Sequence, residues 1–296
     1  MNKTAKQGIA NLTGLAVAVA SGKGGTGKTT VSVSLACAAS ESGLDVCYID
    51  CDVEEPNGHL FLKPRYHCSI PVCLPVPDVD EEMCTACGAC GEICQYSAIL
   101  CLNRTVLTFE KMCHGCGGCI LACPTGAISE KRREIGVIEK GRCGTIEFIH
   151  GRLNVGEAMS PPLIRAVLSE GKRESLVIVD APPGTSCPAI SSVKGADYII
   201  LVTEPTPFGI NDLDLAIDMV RELGIPHAVV VNRSDPDNHL ASNFCREKGV
   251  EILAEIPYDR RVAEAYSRGG LAFYTVPGFR DYYAGLINIL GGVAKI

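Results

Sequence analysis

The ten residues Ser21 to Thr30, SGKGGTGKTT, constrain this chain more than any other stretch. Within them, Gly22 to Thr29 fits G-x-x-x-x-G-K-[ST], and the flanks fit as well: the apolar run LAVAVA (Leu15 to Ala20) reads as a buried strand, and TTVSVSLACAASESG, from Thr29, reads as a helix. Strand, glycine loop and helix in that order make an anion cradle. The glycines let backbone N–H groups converge on a phosphate, the helix N-terminus adds partial positive charge, Lys28 neutralises the terminal phosphates, and the Thr29 hydroxyl reaches Mg2+. Gly22, Gly24, Gly25, Thr26, Gly27, Lys28, Thr29 and Thr30 are therefore expected to hold a nucleotide with Mg2+. Lys23 is one lysine more than such a loop needs.

The rest of the chain alternates in the same way. Apolar strands near 15–20, 45–50, 176–180, 198–203, 227–232 and 251–256 are separated by helical patterns such as NDLDLAIDMVREL (Asn211 to Leu223). That order implies an α/β fold, a doubly wound and mainly parallel sheet covered on both faces, with ligands at the carboxyl ends of its strands. With 296 residues and 47% hydrophobic content, the chain has room for one large domain and a small one. Its net charge of -7 gives no general reason to expect nucleic acid or an anionic membrane as partner.

The alternation breaks at two cysteine runs, CTACGACGEIC (Cys84 to Cys94) and CHGCGGCILACP (Cys113 to Pro124). Both read C-x2-C-x2-C-x3-C, and the second ends in the proline of the bacterial ferredoxin signature; Gln95 takes that place in the first. Zinc is the competing metal, but structural zinc sites use pairs of cysteines rather than four per run. The expectation is two [4Fe-4S] clusters in a small α+β ferredoxin-like domain. Because the fourth cysteine of each run serves the other cluster, one set is Cys84, Cys87, Cys90 and Cys123, and the other is Cys113, Cys116, Cys119 and Cys94. Of the nine remaining cysteines, Cys37, Cys47, Cys51, Cys68, Cys73, Cys101, Cys143 and Cys245 follow no ligand spacing and read as small buried hydrophobes. Lys131 to Arg133 reads as a solvated edge, and His114 as exposed rather than ligating.

Lys23 to Thr29, KGGTGKT, resembles the loop of the deviant Walker A ATPases, the family of MinD, ParA, the nitrogenase iron protein and the Mrp-type iron–sulfur carriers. The resemblance implies that Lys23 crosses to the nucleotide of a second subunit, so that ATP assembles a face-to-face dimer. It assigns Asp52, at the end of DVCYIDCD, to switch I as the residue that orients the attacking water. It assigns Asp180, at the end of SLVIVDAPPG, to the Walker B and switch II region, with the Gly184 backbone sensing the γ-phosphate. Asn232 then falls where the family recognises adenine, and Pro257, in EIPYD, where it packs the nucleoside. The whole chain resembles a MinD-superfamily ATPase with a ferredoxin domain inserted at 65–149 (core about 80–131), the ATPase domain being 1–64 and 150–296. Cys187 stands at the offset from Asp180 that a cluster-bridging cysteine has in the nitrogenase iron protein, with no counterpart for that protein's second cysteine.

Three functions follow from this reading: an ATP-gated redox enzyme, a carrier or assembly factor for iron–sulfur clusters or metallocofactors, and a positioning ATPase. The tail RDYYAGLINILGGVAKI, with only Arg280 and Lys295 basic, lacks the basic amphipathic pattern of a membrane-cycling ATPase. Two complete four-cysteine sets suit tightly held redox clusters. The expected partners are a second ATPase subunit, identical or related, and a redox or cluster-accepting protein; no nucleic acid and no stable membrane anchor are expected, and the location implied is the cytoplasm.

Overall fold

Eleven strands can be followed in chain order among the described residues, 12–171 and 175–293 of this computed structural model: β1 (Ala16–Ala20), β2 (Val46–Asp50), β3 (Arg65–Val79), β4 (Ile99–Leu102), β5 (Thr105–Thr108), β6 (Ile128–Cys143), β7 (Ile146–Leu153), β8 (Leu176–Asp180), β9 (Tyr198–Thr203), β10 (His227–Ser234) and β11 (Ile252–Pro257). Lys295, counted in the tail, lies outside the described residues. Nine strands form one sheet in the order β11-β10-β9-β1-β8-β2-β7-β6-β3. The pairs from β11 to β7 along that order are all parallel. The six strands expected from apolar runs are β1, β2 and β8 to β11, and their runs are continuous because both faces of the sheet are covered.

The chain folds into two units. One comprises the residues up to Ser69, Ile138–Arg152 and those from Ile164 on; the other comprises Ile70–Val137 and Leu153–Leu163. These bounds differ from the 65–149 insertion for two physical reasons. Cys47 to Asp50 of β2 pair with Glu147 to His150 of β7, which makes 147–150 part of the large sheet. Beyond β7, the Asn154 N–H donates to the Ile135 carbonyl (2.9 Å), and Glu157 pairs with Arg133, which ties 153–163 to the smaller unit.

In the larger unit the helix Lys28–Glu41 is buried along Val31 to Ala39 and packs against the last helix, Phe279–Val293. A helix covered all round shows no amphipathic stripe, and its buried stretch is accordingly made of small and apolar residues, Ser32 and Ser34 included. Sheet register sets the chemistry: Val19 and Asp50 both neighbour Asp180, so the loop after β1 and the carboxylates ending β2 and β8 meet at one edge.

The smaller unit has little aliphatic core. Cys90, Ile99 and Ile128 are buried at its centre, and Cys94, Cys119 and Cys123 pack on them with Val79, Val106 and Ile120. Its β4–β5 hairpin turns through Asn103 and Arg104, both at positive φ (47° and 69°) as a two-residue turn of this hand requires.

Candidate functional site

The glycine loop lies over the ends of β1 and β8, and each constrained position has a local cause. A Cβ on Gly22 would stand 1.9 Å from the Asp212 carbonyl oxygen, and one on Gly27 (φ 95°) would stand 2.2 Å from Asn232 Nδ2. Glycine is the only residue that lets the loop approach both neighbours. Asn232 Nδ2 donates to the Thr26 carbonyl (2.8 Å), so one Asn232 amide proton braces the loop.

Beside this loop is a cavity of about 440 Å3, a size that takes a nucleotide. Gly24, Gly25, Gly27, Lys28, Thr29, Thr30, Asp52, Asn232 and Pro257 all line it. The remaining expected residues lie elsewhere. Gly22 packs on Asp212, and Thr26 is buried. Asp180 sits beneath the loop, 1% exposed. The Gly184 N–H donates to the Ser21 carbonyl (2.9 Å), so it is engaged by backbone here. Lys23 does not line the cavity and pairs with Glu204 of its own chain (2.7 Å), which also holds the cavity residue Arg233 (3.0 Å). Burial alone would raise the Glu204 carboxyl, but Lys23 and Arg233 hold it below the usual range.

Sequence reasoning passed over Glu204, and also Glu55, Asn57, Val262, Ala263, Tyr266 and Phe279, which line the cavity as well; Tyr258 falls within EIPYD. The aromatic residues come from the segment after β11, and no phosphate motif marks a base-facing surface.

Electrostatics separate the three carboxylates. Asp50 is fully buried and accepts from the N–H groups of Asp52 (3.0 Å), Asn57 (3.1 Å) and Gly58 (2.9 Å), which fixes the turn carrying Asp52. Burial, then the neighbouring Asp180, push its carboxyl far up: two adjacent carboxyls without water cannot both ionise cheaply. Burial also raises Asp180, opposed by Lys28, Thr29 and the Tyr48 hydroxyl, which donates to Asp180 Oδ2 (3.0 Å). Burial pushes Asp52 up to about 6, against the pull of Lys28.

Asp180 Oδ1 is buried with no hydrogen-bond partner. An orphaned carboxylate oxygen next to the Thr29 hydroxyl and Lys28 fits a Mg2+ site, since Mg2+ takes one or two protein ligands and completes its shell with phosphates and water. Among the described residues, no three His, Cys, Asp or Glu side chains converge on one ion.

The cysteine unit repeats itself at an offset of 29 residues, from Cys84 to Cys113. Positive φ recurs at matched positions: Ala86 and Gly115 (54° and 68°), Gly88 and Gly117 (84° and 71°), Ser97 and Gly126 (50° and 67°). Ala86 N–H donates to Cys84 Sγ and Gly115 N–H to Cys113 Sγ, each at 3.4 Å. The Ala98 carbonyl accepts from Phe109 (2.7 Å) and the Ala127 carbonyl from Asp80 (2.8 Å), again 29 residues apart. Ala86 and Ser97 hold a conformation that costs a residue with a Cβ roughly 1 kcal/mol, which implies that the loop shape itself is required. Cys94, Cys113, Cys116 and Cys119 line a single cavity. Of the other set, Cys90 is buried with Cys123 packed on its core, Cys84 is half-buried, and Cys87 is exposed.

Some single residues depart from expectation. Arg133 is no solvated edge: its ion pair with Glu157 leaves the side chains 13% and 4% exposed. Lys131 pairs with Glu110 (2.9 Å) and Asp78 (3.3 Å). Cys68 is exposed, and Cys73, Cys101 and Cys143 are half-buried; Cys37, Cys47, Cys51 and Cys245 are buried as expected. Cys187 is exposed, at the start of the helix Cys187–Val193.

A family model described as the CobQ/CobB/MinD/ParA nucleotide binding domain matches residues 17–272. The chain belongs to this family. It is 31% identical to an uncharacterized protein of Methanocaldococcus jannaschii over 92% of this chain and 96% of that one. It is 26% identical to the septum site-determining protein MinD of Bacillus subtilis (86% and 81% covered), and 26% identical to an iron-sulfur cluster carrier protein of Aquifex aeolicus (86% and 60% covered). In fold it is similar to MinD of Pyrococcus horikoshii complexed with Mg-ADP, with a TM-score of 0.60, 18% identity and 95% and 98% coverage. The chain is thus a P-loop ATPase of the MinD/ParA type with a mostly parallel sheet. Among its described residues no helix is long and apolar enough to cross a membrane.

Proposed function

We propose that this MinD/ParA-type ATPase couples ATP-dependent dimerisation to electron transfer through two [4Fe-4S] clusters carried by the smaller unit. The observation that carries this reading is the 29-residue structural repeat, with four thiols of one set around one cavity. Cys84, Cys87, Cys90 and Cys123 would hold one cluster and Cys94, Cys113, Cys116 and Cys119 the other; each would supply one-electron chemistry at a potential tuned by its surroundings.

At the nucleotide, Lys28 and the loop N–H groups bind the phosphates, and Thr29 with Asp180 would hold Mg2+. Asn232 and Pro257 face the nucleoside. Asp52, fixed by the hydrogen bonds of Asp50 to its turn, orients the attacking water. Gly184 must release Ser21 to sense a γ-phosphate, and Lys23 must leave Glu204 to reach the partner subunit's nucleotide. Both residues therefore start from engaged positions that ATP-driven dimerisation, with an identical or a related subunit, would reorganise.

A second reading, a carrier of clusters or metallocofactors, is favoured by the relatives named iron-sulfur cluster carrier proteins. Anaerobic purification with iron and sulfide analysis, then redox titration with and without ATP, separates the two. A nucleotide-dependent change in potential supports electron transfer; ATP-dependent delivery of clusters to an apo-acceptor supports the carrier. Zinc without acid-labile sulfide contradicts both.

A further inference from the structure

The 29-residue repeat fails at the positions that flank the two thiol sets. Thr85 and Thr125 flank the set of Cys84, Cys87, Cys90 and Cys123; the same offset turns them into His114 and Tyr96, which flank the set of Cys94, Cys113, Cys116 and Cys119. Thr125 Oγ1 lies 3.6 Å from Cys123 Sγ. With Cys123 as a thiolate, the hydroxyl is the only possible donor of that pair. Tyr96 makes no such contact. Its ring stacks on His114, centroids 3.5 Å apart and planes 7° from parallel, and both residues line the cavity of the second set with Ile93, Ile99, Ile120 and Glu130.

We propose that the two thiolate sets hold clusters of unequal reduction potential, the Thr125 set the higher and the set beneath the Tyr96–His114 stack the lower, so that a single electron rests at the Thr125 end. This rests on the cluster reading given above. Reduction adds one negative charge to a cluster and its four thiolates, so hydrogen bonds to sulfur and access to water favour it, while apolar cover and nearby anions oppose it. The backbone donors to Cys84 and Cys113 match in both partner and distance, so they cancel between the sets. Cys94 takes one further backbone donor, the Ala98 N–H (3.3 Å), which acts for its own set. Against it stand the Thr125 hydroxyl at one end and the aromatic cover and the Glu130 carboxylate at the other. These three act in the opposite direction to the Ala98 donor, and the full charge of Glu130 decides the sign. The expected consequence is at least a tenfold preference of the first electron for the Thr125 set, which for a one-electron step is 59 mV.

The test is a potentiometric titration of the anaerobically purified full chain, with dithionite as the electron donor, each cluster taking one electron and the spins read by electron paramagnetic resonance. The native protein, carrying about eight iron atoms, should show two one-electron steps at least 59 mV apart. Thr125→Val should lower the upper step alone. Tyr96→Thr, which installs the residue of the symmetric position, should raise the lower step alone, and Tyr96→Leu, which keeps bulk but loses the stack, should raise it by less. Coincident steps in the native protein with its iron complete would overturn the inequivalence and leave the cluster reading standing, as would a Tyr96→Thr shift in the upper step. Absence of iron and sulfide would overturn the cluster reading and this proposal together.

Discussion

The pairing of Lys23 with Glu204 yields a prediction with a sign opposite to intuition: Glu204→Gln should strengthen the ATP-dependent dimer. Lys23 Nζ stands 2.7 Å from Glu204 Oε1, with the side chains 29% and 15% exposed, so a charge-assisted hydrogen bond must break before Lys23 can cross to a partner. Exposed ion pairs are worth roughly 0.2–1 kcal/mol and hydrogen bonds to charged groups about 1.5–3 kcal/mol. Glu204 keeps Arg233 (3.0 Å) when Lys23 leaves, so it is not stranded, and about 1 kcal/mol per subunit is the reasonable figure. Two lysines are released per dimer, giving about 2 kcal/mol, or roughly 30-fold in the dimer Kd. The assay is sedimentation velocity with Mg2+ and ATP in an Asp52→Ala background, so that hydrolysis does not deplete the dimer. Arg233→Gln, which spares the Lys23 pair, is the control and should not tighten it. An unchanged or weaker dimer in Glu204→Gln would show that Glu204 positions Lys23 for use rather than restraining it.

Hydrolysis should rise with pH through about 6 and level above it, because the Asp52 carboxyl must be ionised to accept from water; Asp52→Ala should lose turnover by orders of magnitude while still binding ATP, measured by phosphate release and calorimetry. The stability sign is the reverse: a carboxyl raised from 3.8 to about 6 on folding retains its proton in the folded state, so stability is full below about 4 and declines as pH rises through 6. At pH 7, Asp52→Asn should therefore be more stable by about 1–2 kcal/mol after allowing for partial exposure, read by urea unfolding. Cys116→Ala should lose about four of eight irons and lower the stability of the smaller unit, while nucleotide affinity stays within about twofold, since the two units have separate cores.

The nucleotide site was legible in the sequence where local pattern and function coincide. The loop from Gly22 to Thr30 and the six apolar strands carry their structure in spacing alone, and β1, β2 and β8 to β11 lie where those runs occur. Strands β3, β6 and β7 were not legible. Segments such as KRREIGVIEK (Lys131 to Lys140) mix charge with apolar residues, because their ion pairs and burial depend on neighbours remote in sequence. The same holds for Glu204: a glutamate after β9 becomes a partner of Lys23 only when β9 lies beside β1. Asp50 and Asp52 could not be told apart by spacing, and the difference came from sheet pairing, which buries one against Asp180 and leaves the other in the cavity wall. The cysteine spacing forecast a repeat, and its offset pairs Tyr96 with Thr125 and His114 with Thr85, but it did not forecast that Tyr96 stacks on His114 while Thr125 lies beside Cys123, which depends on side-chain placement.

An ATP site built by two subunits takes Lys28 and Asp52 from one chain and Lys23 from the other. Lys23→Ala and Asp52→Ala are each expected to be inactive alone, and the decisive measurement is ATP hydrolysis by an equimolar mixture of the two. In a mixed dimer one site keeps its own Asp52 and receives an intact Lys23 from the other chain, so activity should return in proportion to the heterodimer formed. If heterodimers are present by differential tagging and hydrolysis stays at the level of the single variants, Lys23 acts within its own chain and the two-subunit site is wrong.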